Sequence, residues 1–556
     1  NRWYATGTNF KYYVLRGNLP VDITPIRRTV TLATDPFAIT NGSAVMTVTD
    51  VANGAVLNDF VTFSGATTIG GNVTAAVLNA EFQIASIVSD DVYTVTLPVV
   101  SDTTDAAGGG AAVEASYQIN VGLDTTALGN GWGTGPWGEN GWGTGSSIFA
   151  ETDQLRLWSE DNFGEDLLFN VRNGGIYYKD MSGPATDRGV NITTLGNGPS
   201  VAAQIQVSDN SRHVLAYGCN PVDSAARDPL LVRWSTSENI AQWTPDTTNT
   251  AGSLRFDGGS VFLKAVETTT ETLVFTDATL HSLRFIGPPF TFGQTRIGTN
   301  IQLIGPNAVV STGSITAWMA NGRFQWYDGV VRDIPCDIRT YVFSILNNNN
   351  QAEKIYAGVN RQFSEFIWLM PVNGSNQNNF YVICNFENPG DPLWYYGSFN
   401  AAGRSTWLDA FYEANPLAGA PDGYIYSHDF GATDQSGMAP VMLDSWIKSS
   451  VFELGTGGDF MYVSRLIPDL SFEGSTATAP MVNFTFAKRD YPGSAFASGP
   501  DAPVTSTVIL PIEQYTPKVD KRFRARSVQI GIEATEVGTL WQFGVPRLYA
   551  APDGQR

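Results

Sequence analysis

Apolar and polar residues change places along this chain in short bursts, not at helical spacing. Between residues 30 and 121 the period is two, as in Thr47-Val48-Thr49, Phe60-Val61-Thr62-Phe63 and Tyr93-Thr94-Val95-Thr96-Leu97. Turn signals at Asn41-Gly42, Asn53-Gly54 and Gly70-Gly71 separate these bursts. Strands this short predict a small β-sandwich or barrel, inserted after an N-terminal strand segment of residues 1–29.

Residues 151–440 follow another rule: an apolar run, a turn, then a run ending in aromatics. Leu167-Leu168-Phe169 leads to Ile176-Tyr177-Tyr178, Val214-Leu215-Ala216-Tyr217 to Leu230-Leu231-Val232-Arg233-Trp234, and Leu273-Val274-Phe275 to Ser282-Leu283-Arg284-Phe285. Ile315-Thr316-Ala317-Trp318 leads to Phe324-Gln325-Trp326-Tyr327, Phe366-Ile367-Trp368-Leu369 to Phe380-Tyr381-Val382-Ile383, and Leu408-Asp409-Ala410-Phe411 to Tyr424-Ile425-Tyr426. First strands recur roughly every 40 to 60 residues, the spacing of a four-stranded propeller blade, and each pair is expected to be the middle of one. The expectation is an all-β chain: a β-propeller of about six blades, the inserted domain, and a C-terminal β domain over 441–556. A chain of ordinary sandwiches is the alternative, because the repeats share a pattern and not a sequence.

One turn is explicit. Trp234-Ser235-Thr236-Ser237-Glu238-Asn239 runs to Trp243, and Ser235 and Asn239 are suited to satisfying backbone groups of a tight turn with Trp243 folded beneath. Trp158-Ser159-Glu160-Asp161-Asn162 opens similarly. Both resemble the hairpins of sialidase-type propellers with the usual Asp replaced, and the role implied is structural. Ile338, Tyr341, Val342 and Ile345 have helical spacing, predicting one helix with Asp337 as N-cap and a stop at Asn347–Asn350.

At 556 residues, two to four domains are expected. Apolar residues make up 43%, but charged residues only 15%, the balance being Thr, Ser, Asn and Gly. The net charge of −20 argues against a sequence-specific DNA binder, since that affinity depends on Lys and Arg displacing counterions. Cys219, Cys336 and Cys384 fit neither a disulfide framework nor a metal site and read as free thiols. No apolar run reaches membrane-spanning length, and no signal-peptide pattern is visible.

No phosphate loop, H-E-x-x-H or G-x-S-x-G motif occurs. His213 and His281 lie in or beside expected blade strands and read as core residues; His428 is the third histidine. The acidic pairs Glu160-Asp161 and Glu165-Asp166 could bind calcium in a turn or serve a glycosidase, but they lack alternating oxygen ligands. The sequons at Asn41, Asn191, Asn373 and Asn483 carry little weight in a chain so rich in Asn and Thr. No catalytic residue, metal site or cofactor is expected.

Two features remain. The connector 122–150 holds Trp132, Trp137 and Trp142 on a glycine-rich backbone, either as a sharp turn pinned by large side chains or as a sugar-stacking surface. Lys518, Lys521, Arg522, Arg524 and Arg526 form a basic cluster, either a charged strand edge or a contact with an acidic surface on a neighbouring subunit or adaptor.

The order of parts resembles a known family. The inserted domain, the Gly-Trp connector and WSEDNFGEDLLFNVRNGGIYYKD are similar to the tail nozzle or hub proteins of short-tailed bacteriophages, also called stabilisation or tail tubular proteins. So are ETLVFTDATLHSLRFIGPPFTFGQTRIG, MANGRFQWYDGVVRDIPCDIRTYVF and the ending RARSVQIGIEA with GTLWQFGVPRLYAAPDGQR. The resemblance spans about Gly54 to the end. It implies a homohexameric ring below the portal and adaptor, with fibres or spikes docking outside and double-stranded DNA passing through without specific binding. It also implies a virion protein assembled in the host cytoplasm, with no catalytic residues to carry over. A glycan-binding or glycan-cleaving propeller is the competing reading.

Overall fold

Five of the paired apolar runs are the two middle strands of four-stranded antiparallel sheets in the computed structural model, and the protein is an all-β chain built on a β-propeller. The structure describes residues 3–17, 19–126, 154–347, 351–399, 403–409, 413–435, 439–455, 457–489 and 507–555. Blade 1 comprises Trp158–Phe163, Asp166–Val171, Ile176–Lys179 and Val190–Asn191. Blade 2 comprises Gln204–Val207, Val214–Tyr217, Leu231–Trp234 and Gly252–Arg255. Blade 3 comprises Phe262–Glu267, Thr272–Thr276, Thr279–Gly287 and Thr291–Thr299. Blade 4 comprises Val309–Ser311, Thr316–Ala320, Arg323–Tyr327 and Val331–Asp333. Blade 5 comprises Tyr356–Asn360, Glu365–Met370, Phe380–Asn385 and Leu393–Ser398. Consecutive first strands lie side by side and form the inner edge of the blades, along the propeller axis.

The middle strands are buried on both faces, which is why they read as unbroken apolar runs. Every residue of Val214–Tyr217 and of Thr316–Ala320 is buried. Leu168 and Ile176 pack on Ile205 and Val214 of blade 2, while Leu215 and Tyr217 on its other side pack with Phe262 and Val274 of blade 3.

The sixth expected pair, Leu408–Phe411 with Tyr424–Tyr426, belongs to no four-stranded sheet among the described residues, and 410–412 lie outside them. Other pieces of chain cover the two ends of the five-blade repeat. The free face of blade 1, with Leu167, Phe169 and Val171, is covered by a sheet of Tyr4–Gly7, Tyr12–Arg16 and Leu19–Asp22. There Tyr12 stacks on Phe169 with centroids 4.5 Å apart. The free face of blade 5, with Ile367 and Leu369, is covered by Trp407 and Ala418. Trp407 Nε1 donates to the Val359 carbonyl at 2.9 Å.

The inserted domain is one antiparallel sheet of eight strands, from Ile26–Thr31 to Glu114–Gln118. Its long strand Glu81–Ser89 pairs with Phe60–Ser64 near its start and with Val92–Thr96 beyond Ile84, with register shifts that let the sheet bend over its own apolar face. Phe37 and Phe63 meet inside at 4.9 Å. A polar cluster ties this domain to the propeller. Lys11 pairs with Asp22 at 3.1 Å and with Glu81, while Arg188, just before the last strand of blade 1, reaches Asp22 at 3.3 Å and Glu81 at 3.7 Å.

The predicted helix is Arg339–Ile345, shorter than expected. Its N-cap is Ile338 and makes no side-chain cap bond, so Asp337 does not cap it; Val342 is buried and Tyr341 exposed. A one-turn helix, Ala75–Leu78, was not anticipated.

The chain forms two compact units: Asn1–Tyr412 with Ala418–Tyr424, and Glu413–Leu417 with Ile425–Arg556. The second begins before the expected residue 441, because the short pair Thr433–Asp434 and Val441–Met442 gives no length signal in the sequence. Its main sheet orders Trp446–Lys448, Ser527–Ala534, Met481–Arg489 and Thr507–Glu513. A second sheet sets Met461–Ile467 between Val519–Ala525 and Arg547–Pro552, and Val463, Phe484, Phe486 and Phe523 share the core.

Candidate channel and surface sites

The first strand of each blade has one edge without a strand partner, so its backbone N–H and C=O groups need other partners. Side chains from the neighbouring blade supply them. Ser159 Oγ accepts from Ile205 N at 3.1 Å, and Asp161 Oδ2 accepts from Val207 N at 2.7 Å, joining blade 1 to blade 2. Gln204 clamps Ala265 of blade 3 with both amide atoms, at 2.9 Å to its N–H and 2.8 Å to its carbonyl. The axis is therefore polar because it is made of strand edges.

Charge is sorted along this axis. Glu160, in the first strand of blade 1, interacts electrostatically with Lys264 of blade 3, and Tyr12 Oη donates to the Glu160 carboxylate at 3.5 Å. Burial raises the Glu160 carboxyl, opposed by Lys264. Burial lowers the Lys264 ammonium to about 8, with Glu160 opposing and Arg172 adding to the shift. Arg172 is lowered to about 10 by the same enclosure. Three residues further along blade 3, Glu267 is raised by burial and by Asp209. Asp161 is raised to about 6 by burial, with Asp209 and Glu160 adding repulsion. Among the described residues, no three His, Cys, Asp or Glu side chains stand together as a metal site.

Glu160-Asp161 is thus not a turn. It lies in the innermost strand of blade 1, where the expected likeness of Trp158-Ser159 to Trp234-Ser235 fails. Trp234 instead ends the third strand of blade 2. In that turn Ser235 Oγ accepts from Val214 N at 3.1 Å, Asn239 Oδ1 accepts from Ala241 N at 2.8 Å, and Trp243 is fully buried. Trp243 Nε1 donates to the Ile240 carbonyl at 2.7 Å. His213 and His281 are buried and hydrogen-bonded to Thr250 at 2.9 Å and Thr279 at 2.8 Å, and burial lowers both imidazoles. Cys219, Cys336 and Cys384 are free thiols, each raised by burial.

Trp132, Trp137 and Trp142 lie outside the described residues. The basic cluster divides. Arg524 forms an ion pair with Asp553 at 2.7 Å, and both Arg524 and Arg526 lie over the Phe460 ring, at 4.2 and 4.8 Å. Arg526 also donates to the Gly458 carbonyl at 2.8 Å. These two stabilise their own domain. Lys518 is 3.6 Å from Asp520, while Lys521 and Arg522 point to solvent.

The sequence reading missed the axial set. Its signal is a polar strand preceding each apolar pair, which a search for apolar runs passes over. It also missed the blade 3 hairpin, whose nine-residue strands carry exposed Phe285, Ile286 and Phe290 at the tip.

No family model and no curated protein matches the chain. Solved structures align with it at low similarity. The computationally designed Ika8 protein covers 72% of this chain and 96% of its own, at 10% identity and a TM-score of 0.30. The β-propeller domain of Myceliophteria thermophila Cps50 (Swd1) covers 48% of this chain and 93% of its own, at 10% identity and a TM-score of 0.26. The phage phi92 endosialidase covers 80% and 68%, at 12% identity and a TM-score of 0.18.

Proposed function

We propose that this chain is the subunit of a homohexameric tail nozzle or hub of a short-tailed bacteriophage. In this reading the ring extends the portal–adaptor channel, retains the packaged genome and conducts duplex DNA during ejection, with no enzyme activity. The observation that carries the reading is the distribution of charge. Residues 30–121 contain nine Asp and Glu and no Lys or Arg. Arg27 and Arg28, on the domain's own first strand, are paired with Asp59 and Asp50, and Lys11 and Arg188 beside it are paired with Glu81. Six copies at −20 each would carry −120. A polyanion sliding past an acidic wall finds few cations to hold its phosphates, whereas a basic wall would grip it. Salt limits this repulsion to roughly 8 Å, so it keeps DNA off the wall and does not drive it.

The build of the propeller supports a mechanical role. Its blades are joined by apolar faces and by side-chain clamps at the axis, leaving little freedom between neighbours. The exposed apolar tip of blade 3 and the low charge density suit surfaces buried against other subunits. Native mass and electron micrographs of the purified protein test the reading. Particles of six 60.1 kDa chains support it; a monomer that binds or trims polysaccharide refutes it.

A further inference from the structure

At one end of the axis a small cavity is bordered by Ser159 and Arg172 of the blade 1 segment, Gln204 of blade 2, Lys264 of blade 3, and Asn307 ahead of blade 4. It has room for a single water-sized occupant. Arg172 points both Nη groups at backbone carbonyls, of Leu263 at 2.9 Å and Phe262 at 3.2 Å. Lys264 Nζ donates to Asn307 Oδ1 at 2.9 Å, which leaves two ammonium hydrogens for the cavity. Neither cation has a carboxylate within 4.0 Å among the described residues.

The charged groups acting on this pair are few. Glu160 attracts Lys264 and Glu353 attracts Arg172, while Arg227 adds a third positive charge. Neighbouring cations that have only neutral hydrogen-bond partners remain uncompensated in charge, and an anion between them reduces that cost. Gln204 spends its amide oxygen and one Nε2 hydrogen on Ala265, which leaves one hydrogen for the cavity. The occupant must be small, because the space holds little more than one water-sized particle and a phosphate does not fit it.

We propose that this axial cavity binds one halide-sized inorganic anion between the Lys264 ammonium and the Arg172 guanidinium, tying blades 1, 3 and 4 together. The site is independent of what the chain does in a larger assembly. The probe is bromide or chloride against gluconate at fixed ionic strength and pH 6.5, read by the thermal unfolding midpoint of the whole protein. The midpoint is expected to rise by about 1–3 °C in halide. In Lys264→Met the rise should vanish, with the gluconate midpoint no lower than wild type, and at pH 9.5 the wild-type rise should shrink. Equal midpoints in halide and gluconate, or an unchanged halide effect in Lys264→Met, overturn the proposal. If the variant does not fold, anomalous diffraction from bromide-soaked crystals of the wild type decides. A peak between Lys264 and Arg172 supports the site, and a water there overturns it.

Discussion

The blades and the inserted domain are both antiparallel β-structures, but they bury their strands differently. A middle blade strand such as Thr316–Ala320 has neighbours on both faces and no solvent side. Val45–Thr49 of the inserted domain alternates, with Met46 and Val48 inside and Val45 and Thr49 exposed. Burial on two faces makes a stiff stack whose chemistry is confined to the axis. Burial on one face leaves an outer surface free to carry charge, and here every charged residue between 30 and 121 is acidic, all outside the core except the buried Asp50 and Asp59.

Four substitutions probe that contrast, in falling order of effect. Ala317→Asp places an unpaired charge between two blades and should cost about 4 kcal/mol or more, read from urea unfolding by tryptophan fluorescence. Trp243→Ala removes a fully buried ring from beneath the blade 2 turn and should cost about 3–5 kcal/mol by the same readout. Tyr117→Phe breaks a buried chain in which Tyr117 Oη is 2.8 Å from Tyr93 Oη and 2.7 Å from Asp50 Oδ2. It should cost the inserted domain about 1–3 kcal/mol. That domain holds no tryptophan, so hydrogen exchange of its amides is the suitable measurement. Thr47→Asp, on the outward side of the alternating strand, should change stability by no more than about 0.5 kcal/mol. A cost as large as that of Ala317→Asp would erase the distinction.

A pH titration sharpens the account of the axis. The folded Asp161 carboxyl, raised to about 6, binds its proton more tightly than the unfolded one. Its contribution to stability is therefore fully present at low pH and is lost as pH rises through about 6. Asp161→Asn should match wild type near pH 4 and melt higher than wild type at pH 7.5. A constant difference across that range would show that its bond to Val207 dominates and not its charge.

The same contrast explains what the sequence revealed. Leu167–Phe169 and Phe366–Leu369 were legible as blade strands because two-sided burial demands an unbroken apolar run. The alternation at Phe60–Phe63 was legible for the opposite reason. Trp158–Phe163 was not, since an innermost strand edged by its neighbour's side chains needs Ser, Glu, Asp and Asn, the residues that also make turns. The Tyr4–Asp22 sheet over blade 1 stayed hidden because its three strands have only four or five residues each. Arg524 and Arg526 looked like an outward basic patch, because nothing local in the sequence places Phe460 and Asp553 beneath them.

The proposed hexameric ring should not hold DNA on its wall. A cryo-electron microscopy map of the assembled particle tests it most directly. Six copies around an open lumen faced mainly by Asp, Glu and uncharged polar side chains are expected. A lumen coated with Lys and Arg, or particles that stay single chains at high concentration, would contradict it.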